Sequence, residues 1–309
     1  MQVAGIRQFG EPVSLLEVPD PRPPADDEVL IAVEAAGVAN WDDIVRRGGW
    51  DVGRQPPLAL GVEAAGTVVA VGAAVTRWAP GDAVMTHPLP LRDQGTWAPL
   101  LLAPQTLLAP KPPGVGWEVA AAFPVPALTA QQVLERLAVT AGEHLVVHGA
   151  GGVTGGLIVA LAALRGASII ATTGPASAAR VRRLGAQRVV DYHDPTWPDQ
   201  VRQAAGRDQI VAGVNAVPGG AATVLRVLPE GGRLVTITTD APPAERRVTI
   251  STLYVRPAGQ QLTELGRLLG DGRLALDVAA RYPLTQAAAA LAAAVAGQRG
   301  GAVVVGPRG

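Results

Sequence analysis

Short apolar runs separated by glycine and proline fill the chain up to about residue 118. Val29 to Val38 and Ala64 to Val71 are β-like, and Gly48 to Pro57 is one of the intervening stretches rich in glycine and proline. Such runs bounded by turn-forming residues predict short strands. Only Trp41 to Arg47 predicts a helix in this part. The first part of the chain is therefore expected to be rich in β structure.

From residue 119 onward, apolar strand-like runs alternate with segments of helical length. The predicted helices include Thr154 to Arg165 and Ala176 to Leu184, the second closed by Gly185 in a left-handed cap. Continuous apolar strands spaced by helices predict right-handed βαβ units and a parallel sheet covered on both faces. The predicted strands are His144 to His148, Ser168 to Thr172, Arg188 to Asp191, Ile210 to Asn215 and Gly232 to Thr238. Val248 to Arg256 is followed by helices at Gly259 to Leu269 and Thr285 to Ala296, and by a last strand at Ala302 to Val305.

Composition excludes several kinds of chemistry. The 309 residues carry 26 basic and 26 acidic side chains and no cysteine. Disulfides, iron–sulfur clusters, cysteine nucleophiles and thiolate zinc sites are therefore excluded. The four histidines lack the spacing of a zinc-binding helix, so no catalytic metal is expected.

Charge and hydropathy also bear on partners and location. The zero net charge argues against nucleic acid, which normally requires an excess of basic residues. No apolar run reaches about 18 residues, and the N-terminus lacks a basic region followed by an apolar stretch. We expect a cytoplasmic protein without a membrane span.

A glycine turn gives the strongest chemical signal. The predicted strand at 144–148 runs into Gly149, Ala150, Gly151, Gly152, Val153 and Thr154, and a predicted helix follows. Gly149 permits the tight turn, and Gly151 lets the backbone approach a pyrophosphate at the helix N-terminus. The usual third glycine would fall at residue 154, which is threonine. The context of strand, turn and helix favours a dinucleotide site over a purely structural turn.

The acidic residue that binds ribose in NAD sites is missing after the second strand of this unit, which ends with Ala171, Thr172, Thr173 and Gly174. Residues 144–190 contain no Asp or Glu, but they include five arginines. This pattern favours NADPH, whose 2′-phosphate is anionic. The alternative is that the arginines only solvate a helix face.

Landmarks in order along the chain resemble the zinc-free quinone oxidoreductases of the medium-chain dehydrogenase/reductase superfamily. They are Ala39 to Asp43, Arg46 to Gly48, Gly61 to Val68, Gly81 to Val84, Pro126 to Ala130, the glycine turn, Leu184 to Ala186, and Asp191 with Tyr192. The resemblance implies an α/β protein with a GroES-like β-rich catalytic domain and a Rossmann domain, with the active-site cleft between the two. The expected domains are 1–118, 119–257 and a segment at 258–309 that returns to the catalytic domain.

The same resemblance implies that zinc is lost. Zinc-dependent relatives have a cysteine near position 40 and a histidine in the turn that reads Gly61, Val62, Glu63 here. Without a Lewis acid, the enzyme is poorly equipped to deprotonate an alcohol. Quinones and enones accept hydride more easily, because their conjugation activates them. We therefore expect reduction of a quinone or an α,β-unsaturated carbonyl compound. Two alternatives stay open: a biosynthetic enoyl or ketone reductase acting on a larger polyketide-like substrate, and an NADPH-binding protein with little turnover.

Site residues follow from the resemblance. Asn40 is the candidate for a hydrogen bond to the reacting carbonyl, and its alternative is to cap the helix that follows. Thr129 would lie near the nicotinamide or would cap a helix starting at Ala130. Tyr192 would border the adenosine phosphate or would be an ordinary aromatic residue at a strand end. The remaining predicted cofactor-binding residues are Gly149, Ala150, Gly151, Gly152, Val153, Thr154, Thr173, Ser177, Arg180 and Ile237.

Two of the departures from the family concern the predicted site. Trp50 replaces a tyrosine that serves as a proton donor in enoyl reductase branches, and an indole cannot supply that proton. Ser177 replaces a lysine that often binds the 2′-phosphate, which leaves Arg180 or Thr173 as substitutes. Trp41 and Trp50 are candidates for a flat apolar surface in the substrate cleft, or they are plain core residues.

Assembly is the last expectation. The β-branched segment Val248 to Arg256 could lie at the sheet edge and pair with its copy, and the resemblance likewise implies a homodimer.

Overall fold

The computed structural model describes residues 1–206, 210–298 and 300–306. The chain folds into two compact units, Met1–Leu128 with Arg256–Gly309, and Thr129–Val255. Together they have the predicted α/β fold, with a GroES-like β-rich unit and a Rossmann-like unit. None of the helices among the described residues combines the length and the apolar character needed to cross a membrane.

Sixteen strands and nine α-helices are present in the described ranges. The strands are β1 (Gln2–Ile6), β2 (Ser14–Glu17), β3 (Glu28–Val38), β4 (Leu58–Ala59), β5 (Ala64–Val71), β6 (Ala83–Thr86), β7 (Leu100–Pro104), β8 (Leu108–Pro110), β9 (His144–His148), β10 (Ser168–Thr172), β11 (Arg188–Val190), β12 (Ile210–Asn215), β13 (Arg233–Thr236), β14 (Thr249–Thr252), β15 (Asp277–Pro283) and β16 (Gly301–Gly306). The helices are α1 (Asn40–Arg46), α2 (Trp117–Ala121), α3 (Pro124–Leu137), α4 (Val153–Leu164), α5 (Pro175–Arg183), α6 (Trp197–Ala205), α7 (Ala221–Val227), α8 (Gly259–Gly270) and α9 (Ala287–Ala296). Two short 3₁₀ turns lie at Gln105–Leu107 and Leu284–Gln286.

The β-rich unit is organised around β3. This long strand pairs antiparallel with β5, β7 and β16. The larger sheet has the order β15-β16-β3-β5-β6-β8, and a smaller sheet has the order β2-β1-β4. Trp97 is fully buried, and its indole N–H donates to the carbonyl of Gly37 at 3.0 Å. Because β16 comes from the end of the chain and β1 from its beginning, both chain ends build this unit.

The Rossmann-like unit contains one fully parallel sheet of order β11-β10-β9-β12-β13-β14. Counted from β9, this is the strand order 3-2-1-4-5-6 of doubly wound nucleotide-binding folds. The order reverses between β9 and β12, and ligands of such sheets bind beyond the carboxyl ends of the strands at that point. His148 and Asn215 are the last residues of those two strands.

Most of the predicted elements of this unit are confirmed. The strands at 144–148, 168–172 and 210–215 have the predicted bounds, whereas β13 is shorter than predicted and α6 and α7 were not predicted. Gly185 has the expected positive φ after α5. β14 is the last strand in the sheet order, so the expected edge position is confirmed.

The boundary between the units lies after Leu128, later than the boundary expected at 118. The reason is that α2 packs against β3 and β5, which keeps the residues after 118 with the β-rich unit. The second boundary lies between Val255 and Arg256, close to the one expected at 257.

Candidate cofactor site and active site

The glycine turn joins β9 to α4 as predicted. Gly149 has a φ of +89°, a left-handed backbone conformation that residues with a side chain rarely adopt. Helix α4 begins at Val153, with Gly152 as its N-cap and no side-chain hydrogen bond to the cap. The first N–H groups of a helix have no intrahelical acceptor, and the helix dipole favours an anion beside them. This end of α4 can therefore hold a phosphate group.

Close packing shows which glycines the turn requires. A Cβ on residue 155 would lie only 2.2 Å from the carbonyl oxygen of Gly149. A Cβ on residue 152 would have no atom nearer than that same oxygen at 3.6 Å, so the space above Gly152 is open. The functional spacing is therefore 149, 152 and 155, and the assignment of the third glycine position to Thr154 was wrong. Helix α4 begins at Val153, one residue before its predicted start at Thr154.

The open space at Gly152 is the feature that fits a pyrophosphate, because backbone must approach the ligand closely there. Ala150 is buried in the turn after β9, and Val153 and Thr154 are the first residues of α4. The predicted residues 149–154 thus form one continuous segment that runs from the turn into the helix. Their contact with a cofactor stays a prediction.

Three of the predicted cofactor-binding residues, Thr173, Ser177 and Arg180, contact the glycine turn. Thr173 and Ser177 are buried, and a Cβ on Gly151 would lie 2.4 Å from Thr173 Oγ1 and 3.5 Å from Ser177 Oγ. Arg180 Nη2 donates to the carbonyl of Gly151 at 2.6 Å. The turn therefore depends on these side chains for its position, and Arg180 already has a structural partner.

Tyr192 lies after β11 and is about half exposed. Its ring packs on that of His193, with 4.1 Å between centroids. His193 in turn is held by Asp191, whose Oδ1 accepts from the His193 Nδ1 at 2.7 Å. The sequence indicated Tyr192 but not His193.

A polar cluster that the sequence did not indicate lies at the carboxyl ends of β9, β10, β12 and β13. His148 Nδ1 lies 2.6 Å from Thr172 Oγ1, and the imidazole stacks on the Trp197 indole at 4.9 Å. Burial lowers the pKa of His148 to about 4, although Asp240 acts in the opposite direction. His148 is therefore neutral at pH 7.

At the end of β12, the Asn215 amide nitrogen is the centre of the other half of this cluster. It donates to Thr236 Oγ1 at 3.1 Å, to Thr238 Oγ1 at 2.9 Å and to the Asp240 carboxylate. Burial alone would raise the pKa of Asp240, but hydrogen bonds from Thr238, Ala221 and Thr236 outweigh it and lower that pKa. A sequence signal for the cluster did exist, because a polar residue ends each of these apolar strands.

Two further predicted cofactor-binding residues can be placed. Thr129 is buried inside α3, five residues after that helix begins, so the alternative that it caps a helix is wrong. Ile237 follows β13, and its N–H donates to the carbonyl of Asn215 at 3.0 Å. It lies beside the polar cluster.

In the β-rich unit, Asn40 is exposed as the first residue of α1. The N-cap is Ala39, and its N–H donates to Asp42 Oδ2 at 2.8 Å. The alternative that Asn40 caps this helix is therefore wrong, because the neighbouring Asp42 satisfies the cap. The Asn40 amide is left available to solvent, and its contact with a substrate stays a prediction.

Three buried titratable groups surround the turn formed by Gly61, Val62 and Glu63. Asp42 is fully buried, and burial raises its pKa to about 8. Burial also raises the pKa of Glu63, with a further increase from the nearby Asp42, while its Oε2 accepts the N–H of Val125 at 2.8 Å. His87 Nδ1 donates to the carbonyl of Val62 at 2.7 Å, and burial lowers its pKa to about 4. At pH 7 the turn is therefore surrounded by uncharged groups.

The predicted aromatic residues lie in this part of the chain. Trp50 is half-buried, with its ring centroid 6.2 Å from that of His87. Trp41 is also half-buried, in the first turn of α1. Both are thus partly accessible, as an aromatic surface in a cleft requires.

The residues present do not fit a zinc ion. Val62 offers only its carbonyl, which His87 occupies. Among the residues that the structure describes, no group of three or more histidine, aspartate or glutamate side chains could hold a metal.

Comparison with known protein families gives two matches. The model for the alcohol dehydrogenase GroES-like domain matches residues 25–113, and the model described as zinc-binding dehydrogenase matches residues 184–305. The first lies in the β-rich unit, and the second begins in the Rossmann-like unit and continues into the last strand.

Two curated relatives illustrate the range of similar proteins. A chloroplastic quinone-oxidoreductase homolog of Spinacia oleracea is 28% identical, covering 94% of this chain and 92% of that protein. An erythronolide synthase of Saccharopolyspora erythraea is 35% identical across 62% of this chain. The chain spans only 5% of the length of that synthase.

Two solved structures are similar along their whole length. A mycobacterial protein in complex with NADPH has a TM-score of 0.87 at 28% identity, covering 99% of this chain and 100% of the other. An NAD-dependent alcohol dehydrogenase also has a TM-score of 0.87 at 28% identity, covering 99% of both chains.

The glycine spacing leads to a stability prediction. Gly155→Ala should lower the free energy of unfolding by about 1–3 kcal/mol, because the added methyl group overpacks against the Gly149 carbonyl. Gly152→Ala is the matched control, and it should change stability by less than about 1 kcal/mol because its Cβ has room. Urea denaturation of both variants measures this, and equal losses would contradict the assigned roles.

Asp42 leads to a second prediction. The pKa of Asp42 is about 8 in the folded protein, against an ordinary value of 3.8. The free energy of unfolding should therefore decrease as pH rises between these two values, because only the unfolded chain releases the proton. Asp42→Asn cannot ionise and keeps an oxygen for the Ala39 N–H. The wild type should therefore lose about 1.4 kcal/mol per pH unit more than the variant does between pH 5.5 and 7.5.

Urea denaturation at several pH values measures this difference. The contributions of His87 and His148 to folding stability have the opposite pH dependence, because they are lost as pH falls toward about 4. This loss is the same in both proteins. Parallel pH profiles for the wild type and Asp42→Asn would refute a buried neutral Asp42.

Proposed function

Because the chain belongs to the zinc-free quinone oxidoreductase family of the medium-chain dehydrogenase/reductase superfamily, we propose that it is an NADPH-dependent reductase of quinones or α,β-unsaturated carbonyl compounds. The observation that carries the proposal is the open space at Gly152 before the uncapped N-terminus of α4. It lies on a sheet of dinucleotide-binding strand order.

The choice of NADPH over NADH rests on the end of β10. An NAD site normally has an acidic residue there, whereas this chain continues with Thr173 and Gly174 into α5. The similar mycobacterial protein was solved with NADPH, and the similar alcohol dehydrogenase is NAD-dependent. The two similar structures therefore do not distinguish NADPH from NADH. The lack of an acidic residue after β10 in this chain favours NADPH, which carries the 2′-phosphate.

In the proposed reaction the bound nicotinamide supplies the hydride. The turn at residues 149–154 and the support from Thr173, Ser177 and Arg180 fix the dinucleotide through its pyrophosphate. Asn40 offers an exposed amide N–H₂ that can donate to the carbonyl oxygen of the acceptor as charge develops on it.

The acceptor class follows from the residues around the Gly61–Glu63 turn. An alcohol substrate would require a Lewis acid or a base, but Val62 stands where zinc-dependent relatives have a ligand, and Asp42 and Glu63 are buried. A quinone or enone needs only alignment and hydrogen bonding, because its conjugated system accepts hydride. Trp41 and Trp50 are partly exposed and can pack against a planar acceptor.

The reductase activity can be tested by stopped-flow absorbance of NADPH with 9,10-phenanthrenequinone and with a simple enone. We expect oxidation of NADPH with at least one of them, and a rate about 10²–10³-fold lower in Asn40→Ala, because the amide that stabilises the oxyanion is lost. Gln8→Ala, which removes an exposed amide elsewhere in the same unit, is the matched control. Tight NADPH binding without turnover on any acceptor would instead support a binding protein.

A second candidate function is reduction of a polyketide-like enoyl thioester. The 35% identity to part of an erythronolide synthase favours it. An α,β-unsaturated thioester should then be reduced with a higher kcat/KM than the quinone or the simple enone. A higher value for the quinone would support the first function.

We also propose that the protein is a homodimer joined through β14. The N–H groups of Thr249 and Leu253 donate to the β13 side of the sheet, so the N–H of Thr252 points to the outer edge. Thr252→Pro should therefore weaken pairing with a second copy and leave the sheet intact. Light scattering should give twice the 31.6 kDa chain mass for the wild type and a larger monomer fraction for the variant. A monomeric wild type would contradict the proposal.

A further inference from the structure

His193 is held in a fixed orientation after β11. Asp191 Oδ1 accepts from the His193 backbone N–H at 3.0 Å and from its Nδ1 at 2.7 Å. The imidazole also packs on the Tyr192 ring at 4.1 Å. These contacts hold a histidine whose side chain is 60% exposed, so it is oriented and accessible at once.

The orientation directs the imidazole toward the start of α5. A Cβ on Gly174 would lie 2.9 Å from His193 Cε1, so only glycine leaves room for the ring there. Because Cε1 lies between the two ring nitrogens and Nδ1 is bonded to Asp191, the second nitrogen Nε2 is the one left for another partner. In the charged imidazolium, Nε2 carries a proton and can donate it to an anion.

Gly174 also lies where folds of this kind bind the adenosine ribose of a dinucleotide. In folds of this strand order, the residue that follows the second strand contacts the ribose 2′ position, and here that strand is β10. Gly174 is the N-cap of α5, with no capping side chain, and the helix dipole there favours an anion. An uncapped helix end and an oriented imidazole therefore meet at one point.

On the premise that the cofactor is NADPH, as proposed above, we infer that His193 binds its 2′-phosphate. The residues that the sequence favoured for this role are engaged elsewhere: Arg180 donates to the Gly151 carbonyl, and Thr173 and Ser177 are buried against Gly151. His193 and the N-terminus of α5 replace the lysine that Ser177 has lost.

Two carboxylates near His193 could repel a phosphate, but both have partners. Hydrogen bonds from the His193 backbone and ring lower the pKa of Asp191, so its carboxylate is occupied by donors of His193. Asp194 accepts from Thr196 and Gln200, on the side of α6. If Asp191 instead bound the ribose hydroxyls directly, the site would favour NADH.

The test compares dissociation constants for NADPH and NADH by calorimetry in the wild type, His193→Gln and His193→Arg. His193→Gln should weaken NADPH binding about tenfold, because a hydrogen bond to a charged group is lost, and leave NADH binding unchanged. His193→Arg should keep the preference for NADPH, since arginine also binds phosphate. His144→Gln, at the amino end of β9 and so at the opposite end of the strands, should change neither constant.

The outcomes separate this inference from the proposed function. If the wild type binds NADH as tightly as NADPH, the choice of NADPH in the proposed function is wrong and the inference falls with it. If the wild type prefers NADPH but His193→Gln keeps that preference, only the role of His193 is wrong. An equal loss of both nucleotides in His193→Gln would show a structural role and would also overturn the inference.

Discussion

The close approach of α4 to β9 is the constraint on which the rest of the cofactor site depends. The carbonyl oxygen of Gly149 leaves no room for a side chain at residue 155, so the helix can pack against the strand only through glycine. This contact sets where α4 begins, and that position in turn places Gly152 in open space at the helix N-terminus. The supporting residues Thr173 and Arg180 then fix the turn from the neighbouring strand and helix. Backbone packing alone thus gives the uncapped helix start and the open space that a phosphate would need.

In the β-rich unit, burial keeps titratable side chains in their uncharged forms. Asp42 and Glu63 are held in their uncharged forms, and His87 is uncharged because its charged form would be desolvated. The Gly61–Glu63 turn, where zinc-dependent relatives place a ligand, is therefore built here from neutral hydrogen-bonding groups. At pH 7 this turn therefore offers hydrogen-bonding groups but no charged side chain, and Val62 supplies no metal ligand.

The sequence predicted the architecture better than the site, and the reason is physical. Continuous apolar runs bounded by glycine identify β9, β10 and β12, because burial on both faces leaves a local pattern. The roles of the glycines depend on the residue at which α4 starts, and local pattern does not determine a helix start to one residue. Asp42 and Asp43 are neighbours with the same side chain, yet Asp42 is buried and Asp43 pairs with Arg46 and Arg47. Only the packing of distant strands distinguishes them, so no local signal could have identified Asp42.

Charge along the carboxyl edge of the parallel sheet supports the same view of the ligand. A dinucleotide brings several negative charges to this edge, so uncompensated carboxylates there would oppose binding. His148 is neutral, and the Asp240 carboxylate stays charged at pH 7 but accepts hydrogen bonds from Asn215, Thr238 and the N–H of Ala221 at the start of α7. Helices α4 and α5 also begin at this edge, and no side chain caps either of them. The edge therefore offers an anion two helix N-termini, and the carboxylates of Asp191, Asp194 and Asp240 beside it are already occupied by hydrogen-bond donors of this chain.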